Sequence, residues 1–135
     1  MVMLADYATA PQVQYPVAEE QCFDVARWIC NEARRRGWDA ARMSVSGVSA
    51  GANLAVNICQ QSHRGHEMRL RAAALAFPVI DLSRADRTSV KRRPRISRRI
   101  QRLAIDAYVV DPRVRHQPLA SPCSTRTWPT SCRRL

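Results

Sequence analysis

The stretch Ser46-Gly47-Val48-Ser49-Ala50-Gly51-Ala52 decides the fold of this 135-residue chain. Its core has the form Gly-x-Ser-x-Gly, the pattern of a nucleophile elbow, which is a sharp turn between a buried strand and a helix. In such a turn the serine takes a strained backbone conformation that exposes its hydroxyl above the sheet. We expect Gly47 and Gly51 to let the strand and helix close on each other, because neither has a Cβ atom. The N–H of Ala50 is expected to face a developing oxyanion.

The sequence on both sides fits this interpretation. Residues 42–46 have the pattern of a short strand, and residues 50–61 have that of a helix with one apolar face. The chain has only four glycines, and two of them bracket Ser49. The alternative is an ordinary strand, turn and helix in which the serine has no chemical role.

Composition limits the class of protein. The chain has room for one domain with a modest core, and no apolar stretch reaches the length of a membrane span. No signal peptide is visible, so we expect a cytoplasmic protein. Five cysteines, an odd number with no Cys-x-x-Cys, suggest neither a disulfide framework nor a zinc site. No cofactor or metal is expected, since residues 47–52 match no nucleotide-binding glycine motif.

The formal charge of +11 leaves more than one interpretation open. Nine of the 22 cations fall between Arg84 and Arg102. Such a stretch could bind nucleic acid or a membrane surface, or it could be a solvated loop. It contains no aromatic residue on which a base could stack, so nucleic-acid binding is not favoured.

Other elements can be placed along the chain. Residues 2–7 predict a short buried strand, residues 16–36 a helix ended by Gly37, and residues 71–80 a central strand that ends near Pro78. A helix is predicted over residues 96–110, with Ile100, Leu103, Ala104 and Ala107 aligned. The pattern predicts one domain over residues 1–122. The tail, residues 123–135, shows no periodicity and is expected to be disordered.

Four stretches in this order resemble the α/β-hydrolase fold, and more narrowly the hormone-sensitive-lipase-like carboxylesterases. Residues 6–18 resemble the family's D-Y-R-L-A-P-E…F-P-A, and residues 47–55 its G-D-S-A-G-G-N-L-A. Residues 77–81 resemble Y-P-x-x-D, and residues 108–122 resemble Y…D…P-x-A-S-P. The resemblance implies an α/β fold: a partial hydrolase sheet of about three parallel strands flanked by helices.

The resemblance also implies a chemistry. Ser49 would be the nucleophile of a carboxylic ester hydrolase, attacking a small-molecule or lipid ester to form an acyl-enzyme that water releases. Ala50 would supply one backbone oxyanion donor. Gly47 and Gly51 would shape the elbow.

The chain also departs from the family pattern. Val48 and Ala52 stand where the family has Asp and Gly, and no H-G-G-G oxyanion loop or later Asp and His of the triad is found. One alternative is therefore a catalytically inactive, truncated remnant; another is a basic nucleic-acid- or membrane-surface-binding module through residues 84–102. A substitute triad of Ser49, His116 and Asp111 is a further, weaker hypothesis.

In the family, the strand carrying H-G-G-G lies between those matching residues 2–7 and 43–46. Without it, residues 2–7 must pair directly with the next strand, stay detached, or pair with another chain. We therefore expect marginal stability and self-association through an exposed sheet edge. Weak ester hydrolysis is expected for a separate reason, because most of the oxyanion hole and two members of the triad are missing.

Overall fold

The structure is a computed structural model that describes residues 1–65, 68–84 and 98–124. Its main elements, in chain order, are helix α1 (Val17–Arg36), strand β1 (Ser44–Val48), helix α2 (Ala50–Gly65), strand β2 (Ala72–Ala76) and helix α3 (Arg98–Tyr108). Short 3₁₀ helices cover Ala40–Arg42, Pro112–His116 and Pro122–Ser124. The three predicted helices and the strands on either side of α2 are thus confirmed.

Helix α1 has the features that the sequence predicts. Acidic residues lie in its first turn and Arg34, Arg35 and Arg36 in its last, which complements the helix dipole. Gly37 ends the helix in the left-handed conformation at φ +70°, and Trp38 N–H donates to the carbonyl of Ala33 at 2.8 Å. The apolar face is buried through Cys22, Ala26 and Ala33.

The two strands form a parallel pair joined by α2. Their register runs from Ser44 opposite Ala72 to Val48 opposite Ala76. Helix α2 packs on both strands, and helix α1 packs on α2. The core between them consists of Ala18, Cys22, Ala26, Leu54, Ile58 and Met68, with Val45 of β1 packed against it.

The strand predicted over residues 2–7 is wrong. This amino-terminal segment, residues 1–7, has no secondary structure, and Val2 and Leu4 are 87% and 92% exposed. Its end is held because Tyr7 packs on the core and Ala8 N–H donates to Gln21 Oε1 at 2.8 Å. A cavity of about 750 Å³ separates the segment from β1. Since no strand lies beside it to complete a ladder, the described sheet has two strands rather than about three.

A second small core attaches α3 and the residues that follow it. Leu82, Val109 and Ala120 are buried there with Tyr15, Ile105 and Tyr108 around them. Asn57 Nδ2 donates to the Leu119 carbonyl at 2.8 Å, and Gln60 Nε2 donates to the Pro122 carbonyl at 3.1 Å. These bonds fasten the segment to α2. The predicted boundary after residue 122 stays a prediction, because residues 125–135 lie outside the described part.

Candidate active site

Ser49 lies where the sequence predicts it, between the last residue of β1 and the first residue of α2. Its φ angle is +54°, in the left-handed region that disfavours any residue with a Cβ atom. The residue is exposed. A strained, exposed serine at a strand-to-helix junction is the geometry of a nucleophile elbow.

Three backbone hydrogen bonds hold this conformation. The Ser49 N–H donates to the carbonyl of Ala76 at 2.8 Å, which ties the turn to the end of β2. The Ser49 carbonyl accepts from Ala52 N–H at 3.1 Å and from Asn53 N–H at 3.2 Å. Because both neighbouring elements fix the residue, the cost of its backbone strain is offset locally.

The two elbow glycines are not equivalent. A Cβ atom on Gly47 would lie 2.2 Å from the carbonyl oxygen of Gly51, so strand and helix meet here only because residue 47 is glycine. A Cβ atom on Gly51 would meet nothing within 4 Å. The expectation that both glycines are needed for closure is therefore wrong for Gly51. Its carbonyl faces the strand, while the residue itself lines the open cavity.

The N–H of Ala50 lies at the N-terminal end of helix α2. Ala50 is the first residue of α2, and its N–H donates no hydrogen bond within the described residues. Unpaired N–H groups and the positive end of the dipole meet at a helix start, which favours negative charge there. Val48, which departs from the family pattern, is accommodated because its side chain is 66% exposed.

Sequence reasoning missed Phe77. It follows β2, adopts a left-handed φ of +52°, and is 86% exposed. Ser49 and Phe77 are the described non-glycine residues with positive φ, and they follow two adjacent parallel strands. Ligands of open α/β sheets bind at this carboxyl end. The available signal was a large aromatic residue directly before Pro78 at a strand end, where backbone freedom is restricted.

The described histidines do not join Ser49. His63 lies in the last turn of α2, roughly 20 Å along the helix from its start. His116 is exposed in the 3₁₀ helix Pro112–His116, and no described hydrogen bond links it to Asp111 or Ser49. The Asp111 carboxylate is bound by Arg113 at 3.0 Å, which lowers the Asp111 pKa. The substitute triad is thus not assembled, and His66 lies outside the described residues.

One buried carboxyl lies elsewhere, at the start of α1. Glu19 is 0% exposed; its Oε1 accepts a hydrogen bond from the Tyr108 hydroxyl, and its Oε2 has no partner. Burial raises the Glu19 pKa, and burial together with the nearby Glu19 raises the Tyr108 pKa. This pair ties α1 to the end of α3.

Other kinds of site receive no support from the described part of the chain. No group of three or more His, Cys, Asp or Glu side chains there could hold a metal ion. Burial raises the pKa of Cys22 to about 11, so this thiol is a buried apolar group rather than a nucleophile. Among the same residues, no helix combines the length and apolar character needed to cross a bilayer.

Known proteins resemble this chain in sequence and in structure. Residues 1–133 match the family model described as alpha/beta hydrolase fold. Ethyl acetate hydrolase of Pseudomonas putida is 35% identical over 67% of this chain and 29% of its own. Arylesterase of Saccharolobus solfataricus is 29% identical over 90% of this chain and 40% of its own.

A solved esterase structure is also similar to this chain. Carboxyl esterase 2 of the fungus Tuber melanosporum superposes with a TM-score of 0.79 and 27% identity, over 89% of this chain and 40% of that chain. The chain thus spans well under half the length of these relatives. With the family model matching almost every residue, the chain belongs to the α/β-hydrolase fold family.

Proposed function

We propose that Ser49 is the nucleophile of a serine carboxylesterase site, with the Ala50 N–H as one oxyanion donor. The observation that carries the proposal is the left-handed, exposed Ser49 held between β1 and α2. Strain of this kind persists where function requires it. Gly47 supports the role because its missing Cβ atom leaves room for the Gly51 carbonyl, so that α2 can begin directly after the turn.

The proposed reaction has two steps. Ser49 Oγ attacks the ester carbonyl, a bond forms between oxygen and carbon, and the negative charge on the carbonyl oxygen is stabilised by Ala50 N–H. The alcohol leaves with a proton, and water then releases the acid from the acyl-enzyme. Within the described residues no hydrogen bond joins Ser49 to a histidine, so proton transfer is unassisted there and turnover is expected to be slow.

The substrate class follows from the relatives. One relative is an ethyl acetate hydrolase, and another is an arylesterase. We therefore expect esters with a short acyl group and a small alkyl or aryl alcohol. Phe77, exposed beside the carboxyl end of β2, is available to contact the apolar part of such an ester.

Hydrolysis of p-nitrophenyl acetate tests the proposal, with mass spectrometry to locate an acetyl adduct. Ser49→Ala should remove the protein-dependent rate and the adduct. Ser44→Ala makes the same chemical change on an exposed serine of β1 and should leave both unchanged. Equal rates and adducts in Ser49→Ala and the parent chain would reject Ser49 as the nucleophile.

We also propose that the chain self-associates through the unpaired edge of β1. The support is that β1 pairs with β2 on one side only, within the described sheet, and that Ser44 and Ser46 line the open cavity on the other side. An unpaired edge is a template for a further strand. The cytoplasmic location remains a prediction.

A further inference from the structure

Phe77 is a large apolar residue in a backbone conformation that neither its size nor its neighbour in sequence favours. Its φ of +52° lies in the left-handed region, where a bulky side chain is an outlier, and Pro78 after it restricts the backbone further. The residue is 86% exposed, so burial of its ring does not offset the strain. Strained residues that packing does not explain cluster at functional sites.

The two strands determine where Phe77 lies. Val48 pairs with Ala76 at the end of the parallel ladder. Ser49 and Phe77 are therefore the next residues past the carboxyl ends of two neighbouring strands. Neighbouring strands are roughly 4.8 Å apart, which places the two backbones side by side. Both residues have positive φ angles.

One hydrogen bond couples these two residues. The Ser49 N–H donates to the Ala76 carbonyl at 2.8 Å. That carbonyl belongs to the planar peptide unit that also contains the Phe77 N–H, so the bond that holds the elbow also fixes the start of Phe77. The backbone of Phe77 is therefore held relative to Ser49, as a residue that selects substrates for Ser49 must be.

We propose that Phe77 is a specificity-determining residue that stacks on the aryl alcohol group of an ester while Ser49 attacks the carbonyl. The inference rests on the proposed esterase function, in which the acyl group is short and the alcohol is the larger apolar part. A phenyl ring gains more from edge-to-face or offset contact with a second aromatic ring than from contact with a methyl group. Phe77 therefore favours esters of larger aromatic alcohols and has little effect on the choice of acyl group.

Two other roles fit Phe77 less well. Packing in a core would bury the ring, whereas the residue is largely exposed. A contact with another protein would use the exposed ring, yet it does not account for the hydrogen bond that couples this residue to the nucleophile.

Acetylation of Ser49 by 2-naphthyl acetate and by phenyl acetate tests the proposal. Both esters transfer the same group: a bond forms between Ser49 Oγ and the acyl carbon, the bond from that carbon to the aryl oxygen breaks, and the naphthol or phenol leaves with the serine proton. Intact-protein mass spectrometry gives the initial rate of adduct formation at ester concentrations well below saturation. Phe77→Ala should lower the naphthyl-to-phenyl rate ratio about fivefold relative to the parent chain.

Three controls separate the ring from other effects of the substitution. Phe77→Tyr keeps an aromatic ring and should keep the parent ratio. Trp28→Ala removes an exposed aromatic residue of α1 and should also leave the ratio unchanged. The rate ratio of phenyl butanoate to phenyl acetate should be the same in Phe77→Ala as in the parent, because the ring contacts the alcohol side. Since alanine also has a Cβ atom, Phe77→Ala removes the ring without relieving the left-handed backbone.

The outcomes distinguish this inference from the proposed function. If the parent chain is acetylated at Ser49 and Phe77→Ala keeps the parent naphthyl-to-phenyl ratio, the inference is overturned and the proposed function stands. A shift confined to the ratio between the two acyl groups would also overturn it, since Phe77 would then lie beside the acyl group. If the parent chain forms no acetyl adduct at Ser49, the proposed function fails and the inference fails with it.

Discussion

The elbow unit, made of β1, Ser49, α2 and β2, differs sharply from the amino-terminal segment, residues 1–7. Both regions contain apolar runs that predict strands, yet only the elbow unit forms a ladder. In the elbow unit, α2 connects β1 to β2 and brings β2 back beside β1, where the two strands pair in parallel. The segment has a cavity in the place where a neighbouring strand would lie. An apolar run thus forms a strand only where the connection supplies a partner for its backbone groups.

The elbow unit contains both the strained backbone of Ser49 and the buried side chains of α2. Ser49 keeps a left-handed conformation because hydrogen bonds from both elements fix it. The amino-terminal segment is held only near Tyr7, and its apolar side chains contribute little burial. Substitutions should therefore have large effects in the first region and small effects in the second.

Gly47→Ala should have the largest effect. Its new Cβ atom would lie 2.2 Å from the Gly51 carbonyl oxygen, which forces β1 and α2 apart. We expect a loss of about 4 kcal/mol in the free energy of unfolding, at the upper end of single-residue effects, or a failure to fold. Urea unfolding followed by circular dichroism measures it.

The control for Gly47→Ala is Gly51→Ala in the same turn. Its Cβ atom meets nothing within 4 Å, and alanine is favoured over glycine in a helix by about 1 kcal/mol. This variant should be as stable as the parent or slightly more so. If the two variants lost stability equally, closure of the elbow would not depend on the contact at Gly47.

Leu54→Ala and Leu4→Ala compare the two regions with one chemical change. Leu54 is 5% exposed in the core of the elbow unit, so truncation should cost about 3 kcal/mol of unfolding free energy. Leu4 is 92% exposed, and its truncation should change that free energy by less than about 0.5 kcal/mol. Chemical denaturation of both variants gives the difference. A similar cost at both positions would mean that the segment packs in solution as tightly as the elbow unit.

Much of the elbow unit could be predicted because its signals are local. Glycine spacing, helical periodicity and the proline after β2 all act over a few residues, and they located α1, α2, both strands and Ser49. The failed strand at residues 2–7 depended on a neighbouring strand that the described sheet lacks. The family resemblance, rather than any local pattern, gave a detached segment as one of three possible outcomes. Two further findings depend on which atoms face each other in the folded chain. They are that glycine is required at residue 47 but not at residue 51, and that Ile100 and Leu103 of α3 are exposed. Sequence spacing places residues on a face without saying what covers that face.

Glu19→Gln tests the contact that attaches the second core to α1. Because burial raises the Glu19 pKa, the unfolded chain loses this proton at lower pH than the folded chain does. This contribution to stability is therefore complete below the unfolded-state pKa and declines as pH rises through the folded-state pKa. Glutamine cannot ionise, so the variant should lose this decline and gain about 1–2 kcal/mol over the parent toward neutral pH.

Urea midpoints measured from about pH 4 to pH 8 give the comparison for Glu19→Gln. Glu20→Gln is the matched control, since Glu20 is its exposed neighbour on α1. The decline with pH should persist in this variant, somewhat reduced because the charge of Glu20 contributes to the raised Glu19 pKa. A parent chain whose stability does not decline over this range would show that Glu19 ionises without cost in the folded state.

A small effect on stability is expected at the free edge of β1, where the backbone N–H and carbonyl groups of successive residues point in opposite directions. The carbonyl of Met43 accepts from Arg71 N–H at 2.7 Å, and Ser49 N–H donates to Ala76. Odd-numbered residues of β1 therefore turn their N–H and carbonyl groups toward β2, and Ser46 turns its own toward the cavity.

Ser46→Pro removes an outward N–H and leaves the ladder intact, so stability should change by less than about 1 kcal/mol while self-association weakens. Val45→Pro, one residue earlier, removes a ladder N–H and should cost about 3 kcal/mol. Sedimentation velocity over a range of concentrations measures association; if Ser46→Pro associates as strongly as the parent, the β1 edge is not the contact between copies.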